Sequence, residues 1–238
     1  MVSNFIFNGK NSLDYKIGID KCPASNHAAR VVEKISVPGR SGDLIRDTGA
    51  FSNVTQPYEI WFKAKTCGTT VAARNIASWL LSGNGYKRLE DSYDPDVFRI
   101  ALFSGPFDVE NWMLLYGRAT IEFDCKPQRY FKSGEYPISI ISGQVINNIW
   151  NDAFPLIEIT GNGDGEIVIG TVTTSITGMD GGIILDSETQ NAYYGTLNKN
   201  NNVIISGADF PYLPNGDTAI MWSGGITGVK ITPRWWTI

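Results

Sequence analysis

Side chains able to carry chemistry are few in this chain, and they are scattered. His27 is the single histidine, in the polar stretch Ala24-Ser25-Asn26-His27, so any nucleophile activated by an imidazole must use it. Nothing near it resembles such a nucleophile, and with no second histidine or adjacent cysteine it cannot build a transition-metal site. An exposed loop histidine is expected. Cys22, Cys67 and Cys125 are odd in number and far apart, which is neither a disulfide framework nor metal-ligand spacing and reads as free thiols. Carboxylates gather at Glu90-Asp91-Ser92-Tyr93-Asp94-Pro95-Asp96. They suit either the paired acid and base of glycoside hydrolysis or an oxygen-ligand cation site. The plainer reading is a turn in which Asp side chains accept backbone N–H bonds and Pro95 fixes the bend.

Asn162, Asp164 and Glu166 alternate through a glycine-rich stretch in the manner of a calcium loop. The twelve-residue frame with a closing bidentate Glu is missing, so a hairpin turn is expected there. Gly9-Lys10-Asn11-Ser12 lacks the upstream glycine of a phosphate-binding loop. These residues point to a binding or structural protein with no catalytic residues, no cofactor and no bound metal.

The elements that would position such groups are mostly strands. Tyr58, Ile60, Phe62 and Ala64 recur with period two and share one face, as do Ala119, Ile121, Phe123 and Cys125 against Thr120, Glu122 and Asp124. Both runs predict half-buried antiparallel strands. Between them a helix is expected over about 70–82, with Thr69 or Thr70 capping its start and Gly83 closing its end. Ala72, Ala73, Ile76, Trp79 and Leu80 would form the stripe that packs on the sheet. Beyond Phe131-Lys132-Ser133-Gly134 the composition shifts. Ten glycines precede Gly134 and 15 lie from it onward, while residues 1–133 carry 17 basic and 14 acidic side chains against 3 and 10 in 134–238. Two domains, 1–133 and 134–238, are expected. In the second, short strands are read at 156–160, 166–169, 182–186, 203–206, 219–222 and 229–232. Turn clusters separate them at 161–165, 198–202, 214–217 and 223–225, which predicts a β-sandwich or jelly roll.

No apolar run is long enough for a membrane span, no basic-then-apolar leader opens the chain, and no Lys/Arg cluster suggests nucleic-acid recognition. Aromatic residues of the second half, Tyr193, Tyr194, Trp222, Trp235 and Trp236, are candidates for a glycan-binding surface. Adjacent pairs must split between the two faces of a strand, so core or subunit contact claims at least one ring of each.

Several stretches together resemble one family. Phe5-Ile6-Phe7-Asn8-Gly9-Lys10-Asn11-Ser12 with Tyr15, and Val37-Pro38-Gly39-Arg40-Ser41-Gly42-Asp43-Leu44 ahead of the Tyr58 strand, resemble the first half of the distal tail proteins (Dit) of long flexible-tailed phages. Trp79-Leu80, Gly85-Tyr86-Lys87-Arg88-Leu89, Asp91 to Asp96 with Phe98-Arg99, and Cys125-Lys126-Pro127-Gln128-Arg129 are similar to its central segment. Ala153-Phe154-Pro155-Leu156-Ile157-Glu158, Leu185-Asp186-Ser187-Glu188-Thr189 with Tyr193, Phe210-Pro211-Tyr212-Leu213-Pro214-Asn215-Gly216 and Ile231-Thr232-Pro233-Arg234-Trp235-Trp236 resemble its C-terminal part. It is the order of these stretches, rather than any one of them, that is specific.

The resemblance implies a mainly β chain. Its first domain would be a β-sandwich or barrel-like unit with one α-helix, and its second a galectin-like or jelly-roll sandwich. It implies a non-enzymatic virion component of the tail tip, assembled in the bacterial cytoplasm. That component would form a homo-oligomeric, hexameric ring between the tail-tube protein and the tail-associated tip protein, within reach of a receptor-binding protein. The charged, glycine-rich connection between Val37 and Tyr58 would then reach a neighbouring subunit, with Arg40, Asp43 and Arg46 as interface candidates; a solvated loop is the alternative. Two rival functions stand beside the hub: a carbohydrate-binding module acting through 134–238, and a glycan hydrolase using the Glu90 to Asp96 segment.

Overall fold

Alternation of apolar and polar residues builds the first half of the molecule. A computed structural model describes residues 2–64, 68–113 and 115–238, with side chains left aside at 111–113; Cys67 lies outside the described residues. Two compact units emerge, Met1–Arg129 with Ile238, and Tyr130–Thr237. Among the described residues the chain is mainly β with a single α-helix. The first unit contains β1 (Phe5–Phe7), β2 (Lys10–Asn11), β3 (Ile17–Ile19), β4 (Arg30–Ile35), β5 (Leu44–Phe51), β6 (Val54–Lys63), α1 (Thr69–Leu80), β7 (Lys87–Asp91), β8 (Val97–Leu102), β9 (Glu110–Met113) and β10 (Tyr116–Phe131), whose last two residues belong to the second unit. The main sheet runs β2-β1-β7-β8-β10-β6-β3, and β9 also pairs with β10.

The two alternating runs become neighbours, β6 and β10, antiparallel with Ile60 opposite Ala119 and Tyr58 opposite Ile121. Their shared inner face buries Tyr58, Ile60, Phe62, Ile121, Phe123 and Cys125. Over it packs α1 through Ile76, Trp79 and Leu80. Trp79 is held between two near-parallel rings, Tyr15 at 4.3 Å and Phe5 at 5.6 Å, and Phe5 in turn stacks on Tyr58 at 5.4 Å. Each such pair adds about 0.5–1.5 kcal/mol beyond the area it buries.

The helix caps differ from expectation. Gly68, with φ +85°, is the N-cap, and Thr69 is already helical and makes no capping bond. At the other end Leu81 N–H bonds Ala77 O and Ser82 N–H bonds Trp79 O, so two of the last four carbonyls find partners before Gly83 is reached.

The second unit contains β11 (Ile138–Ile140), β12 (Gln144–Asn148), β13 (Leu156–Ile169), β14 (Val172–Asp186), β15 (Asn191–Tyr194), β16 (Leu197–Asn198), β17 (Val203–Ile205), β18 (Gly216–Thr232) and β19 (Trp236–Thr237). Its sheet runs β11-β18-β13-β14-β15-β16, with β12 pairing β18 and β17 pairing β14. Two expected turns are corrected: 161–165 and 223–225 are not breaks between short strands but the bulged middles of β13 and β18. Straight, the 14 residues of β13 would span about 46 Å. Yet Ile157 and Ile159 from one end and Ile167 and Ile169 from the other join one buried cluster. The strands therefore curl so that both halves face the same isoleucine-rich core, the arrangement of a β-sandwich.

Glycine permits that curl by close approach. A Cβ on Gly161 would collide with the carbonyl oxygen of Gly225, and one on Gly225 with that of Asn162. Register shifts in the β13–β18 pairing fall at Thr160/Gly161 and Gly161/Gly165, as expected of bulges that bend a strand. Gly225→Ala should lower stability by at least about 1–3 kcal/mol through this backbone clash. Gly228→Ala, in the same strand but with open space around it, should stay within about 0.5 kcal/mol. Urea unfolding of both variants, followed by circular dichroism, checks the contrast.

Candidate functional site

Residues of catalytic or ligand-binding type are for the most part fastened into the fold. In the segment from Glu90 to Asp96, Asp91 Oδ1 accepts the backbone N–H groups of Tyr93 at 2.8 Å and Asp94 at 3.0 Å. Its Oδ2 accepts the phenol of buried Tyr58 at 2.7 Å. Burial, with the Asp91 charge beside it, holds the Tyr58 phenol well above its ordinary range, so it acts as a neutral donor. Glu90 pairs with Arg88 at 2.5 Å. The end of β7 and the turn that follows it are thus braced by the Asp91 side chain.

Asn162 and Asp164 likewise reach across to the next strand: Gly181 N–H donates to Asn162 Oδ1 at 3.0 Å and Gly178 N–H to Asp164 Oδ1 at 2.8 Å. These side chains hold β14 along the bulge, where carbonyl pairing is interrupted. Among the described residues no group of three or more His, Cys, Asp and Glu side chains is placed to hold a metal ion. His27 is exposed, with Ser25 Oγ 3.4 Å from its Nε2. Cys22 is exposed, whereas Cys125 is fully buried, and burial pushes its thiol up to about 12.

The connection that holds Arg40, Asp43 and Arg46 is part loop and part strand. Its residues 44–51 are β5, which pairs with β4 in a separate two-stranded sheet, the β4–β5 ribbon, whose base is closed by the Ser52 N–H bond to Ala29 O. Arg46 faces Glu33 at 3.6 Å on its own ribbon, and Arg30 pairs with Asp47 at 2.6 Å. Arg40 and Asp43 lie in the tip between the strands, exposed and without an ion-pair partner among the described residues. The ribbon is apolar as well as charged: Val31, Val32, Ile35, Leu44 and Ile45 are all exposed, Ile45 at 63%.

Of the five aromatic candidates in the second unit, Trp222, Trp235 and Trp236 pack partly against the isoleucine core. Tyr193 is half-buried, and Tyr194 is 41% exposed, with its ring beside Gly181 and Gly182. Trp236 lines a cleft. That cleft also contains Trp150, Asp152 and Asn215, none of which the sequence singled out as a binding residue. Two stretches on which the family resemblance rests do meet. Arg234, at φ +57°, pairs with Asp186 at 2.6 Å and Glu188 at 3.2 Å. Burial raises the Asp186 carboxyl, but bonds from Arg234 and Thr189 and the Arg234 charge outweigh it and leave the group below its ordinary range.

No family model and no curated protein sequence matches the chain. Its fold does match solved structures. The chain is similar to the SPP1 Dit (gp 19.1) protein, described as a paradigm of hub adsorption apparatus in phages that infect Gram-positive hosts. The TM-score is 0.78 at 12% identity, covering 97% of this chain and 98% of that one. It is also similar to chains of the phage P2 baseplate in its activated conformation, with Ca (TM-score 0.52, 11% identity) and with Sr (0.53, 10%), at the same coverage. The likeness is one of fold, and the chain has the fold of a distal tail protein.

Two outcomes follow from the site geometry. Cys125 should resist thiol reagents at neutral pH until the protein is unfolded, whereas Cys22 labels at once; mass spectrometry of labelled peptides reads both. Asp186, with its folded pKa depressed, stabilises the protein above its unfolded pKa, and that contribution is lost as pH falls through the folded value. Asp186→Asn should therefore flatten the acid limb of the stability curve, as measured by thermal unfolding between pH 2 and 6.

Proposed function

We propose that this chain is a structural subunit of a phage tail tip, a distal-tail-type hub that closes into a ring of six copies. In the virion it would join the tail-tube protein on one side to the tail-associated tip protein on the other, with a receptor-binding protein near by. The observation that carries this reading is the match to the SPP1 Dit protein, reciprocal over 97% and 98% of the two chains and inclusive of both units. The role of hub in an adsorption apparatus comes to this chain from that likeness. The baseplate origin of the other neighbours agrees with it. In this reading the chain acts by assembly rather than by chemistry, and its second unit is a galectin-like sandwich. No described helix is long and apolar enough to cross a membrane.

The β4–β5 ribbon supplies the contact that a ring needs. An isolated two-stranded ribbon is at best marginally stable in water, and this one exposes a row of β-branched and leucine side chains. Burying it against the next copy would cover those side chains and give Arg40 and Asp43 partners across a head-to-tail interface. Such an interface closes on itself when the rotation is right. The monomer mass is 26.2 kDa. Light scattering or native mass spectrometry should find a species of six times that mass, and negative-stain images should show rings. Ile45→Asp, at a site already exposed in the monomer, should return the protein to monomer with its thermal midpoint unchanged. A strict monomer at high concentration, with no ring when tail-tube protein is added, would sink the hub reading.

A further inference from the structure

The second unit contains a cleft that the ring does not require. Its volume is about 490 Å³, and its lining includes Trp150, Asn151, Asp152, Asn215 and Trp236. It is built upon the buried side chain of Asn148, 1% exposed at the end of β12. Asn148 Oδ1 accepts Trp150 N–H at 2.9 Å, and its amide donates to the carbonyls of Asn151 and Leu213, both at 2.9 Å. From the other side Asn215 donates through its backbone to Asp152 Oδ1 at 3.1 Å and through its amide to Trp150 O at 2.8 Å. Trp236 Nε1 donates to Asp152 O at 2.9 Å. Three separate stretches thus hold the loop 149–152 in one conformation, and a site fixed in advance loses little freedom on binding.

What this network leaves uncommitted has a clear chemical character. Asp152 Oδ2, Asn215 Oδ1 and the Asn151 amide have no partner among the described residues. The Trp150 indole is stacked on Phe131 at 4.2 Å and remains 36% exposed, so part of its ring is open to the cleft. An aromatic surface beside a carboxylate and two amides complements a molecule with an apolar C–H face and a rim of hydroxyls. The C–H face lies on the indole, the carboxylate accepts two O–H bonds, and the amides both donate and accept. No Lys or Arg is among the described residues lining the cleft, and the Asp152 charge repels anions.

We propose that this cleft is a saccharide subsite that takes a neutral pyranose unit of a glycan. Trp150 forms its platform, and Asp152, Asn151 and Asn215 read the hydroxyls. The site is distinct from Tyr193, Tyr194, Trp222 and Trp235, and it does not depend on whether the chain forms a ring.

The test uses the full chain with lactose, maltose and N,N′-diacetylchitobiose as neutral probes, and sialyllactose as an anionic one. Binding is read by saturation-transfer difference NMR and tryptophan fluorescence. At least one neutral probe should bind saturably and in preference to the anionic one. Asp152→Asn keeps the oxygen that accepts the Asn215 N–H but removes the carboxylate, and should weaken binding about tenfold or more. Asn151→Ala breaks no side-chain bond of the fold and should weaken it as well, so the test stands even if Asp152→Asn loosens the loop. Tyr194→Ala should bind as the unaltered chain does. The proposal fails if none of the three neutral probes saturates, if the anionic probe is preferred, or if binding survives both cleft substitutions. Loss of binding with Tyr194→Ala would also overturn it, placing the site on the other aromatic surface.

Discussion

At the crossing of Gly161 and Gly225 the backbones of β13 and β18 lie closer than any side chain would allow. The second unit depends on that constraint. Without it, strands of 14 and 17 residues would run on past any core that 108 residues could build. With it, each strand contributes twice to one cluster, Ile157 and Ile159 before the bend and Ile167 and Ile169 after it. The interrupted ladder is repaired by side chains, since Asn162 and Asp164 accept the N–H groups of Gly181 and Gly178. Bulge, polar side chain and shared core are consequences of one close contact.

The first unit solves a similar problem with aromatic rings. Its sheet is curved over a single helix, and the gap is filled by Phe5, Tyr58, Trp79 and Phe123 in stacked and edge-on pairs, with Tyr15 closing the outer side. Large flat side chains fill such a space with few rotamers to lose. The same packing leaves the β4–β5 ribbon outside. Its residues alternate in sign and polarity, with Glu33 opposite Arg46 and Arg30 paired to Asp47, so it has local pairing but no core of its own. Surface ion pairs of this kind contribute little. The exposed apolar side chains between them are what distinguishes the ribbon from an ordinary solvated hairpin.

The sequence was legible where a pattern is local. Period-two alternation at 58–64 and 119–125 gave the right inner faces for β6 and β10, and spacings of three and four gave the face of α1. It was illegible where the decisive contact is distant. Gly161-Asn162-Gly163-Asp164-Gly165 has the composition of a turn, and nothing nearby tells that the carbonyl of Gly225, some sixty residues away, needs those glycines. The connection between Val37 and Tyr58 was read as a subunit contact or a solvated loop, because Gly39, Gly42 and Gly49 mask the strand β5 within it. Trp150 and Asp152 went unremarked as binding residues for the same reason. The Asn148 and Asn215 side chains that fix them lie on different elements, and neither looks unusual in a polar stretch.

A common physical thread links the residues of catalytic type to the proposed roles. A carboxylate or amide can bind a ligand only with the lone pairs and protons that folding has not already used. Asp91, Asn162, Asp164, Asn148 and Asp186, the polar side chains best placed by sequence or burial, all bond a backbone N–H, a phenol or a guanidinium. Their work is structural, and among the described residues no group of three or more His, Cys, Asp and Glu side chains is placed to hold a metal ion. Among the described residues, uncommitted groups are found at the tip and apolar flanks of the β4–β5 ribbon and in the cleft beside Trp150. The ribbon offers exposed aliphatic side chains and unpaired charges over an extended surface, which suits a protein neighbour. The cleft offers a few fixed oxygens around one indole, which suits a small polar molecule. The proposed ring contact and the proposed saccharide subsite therefore draw on different groups of the chain.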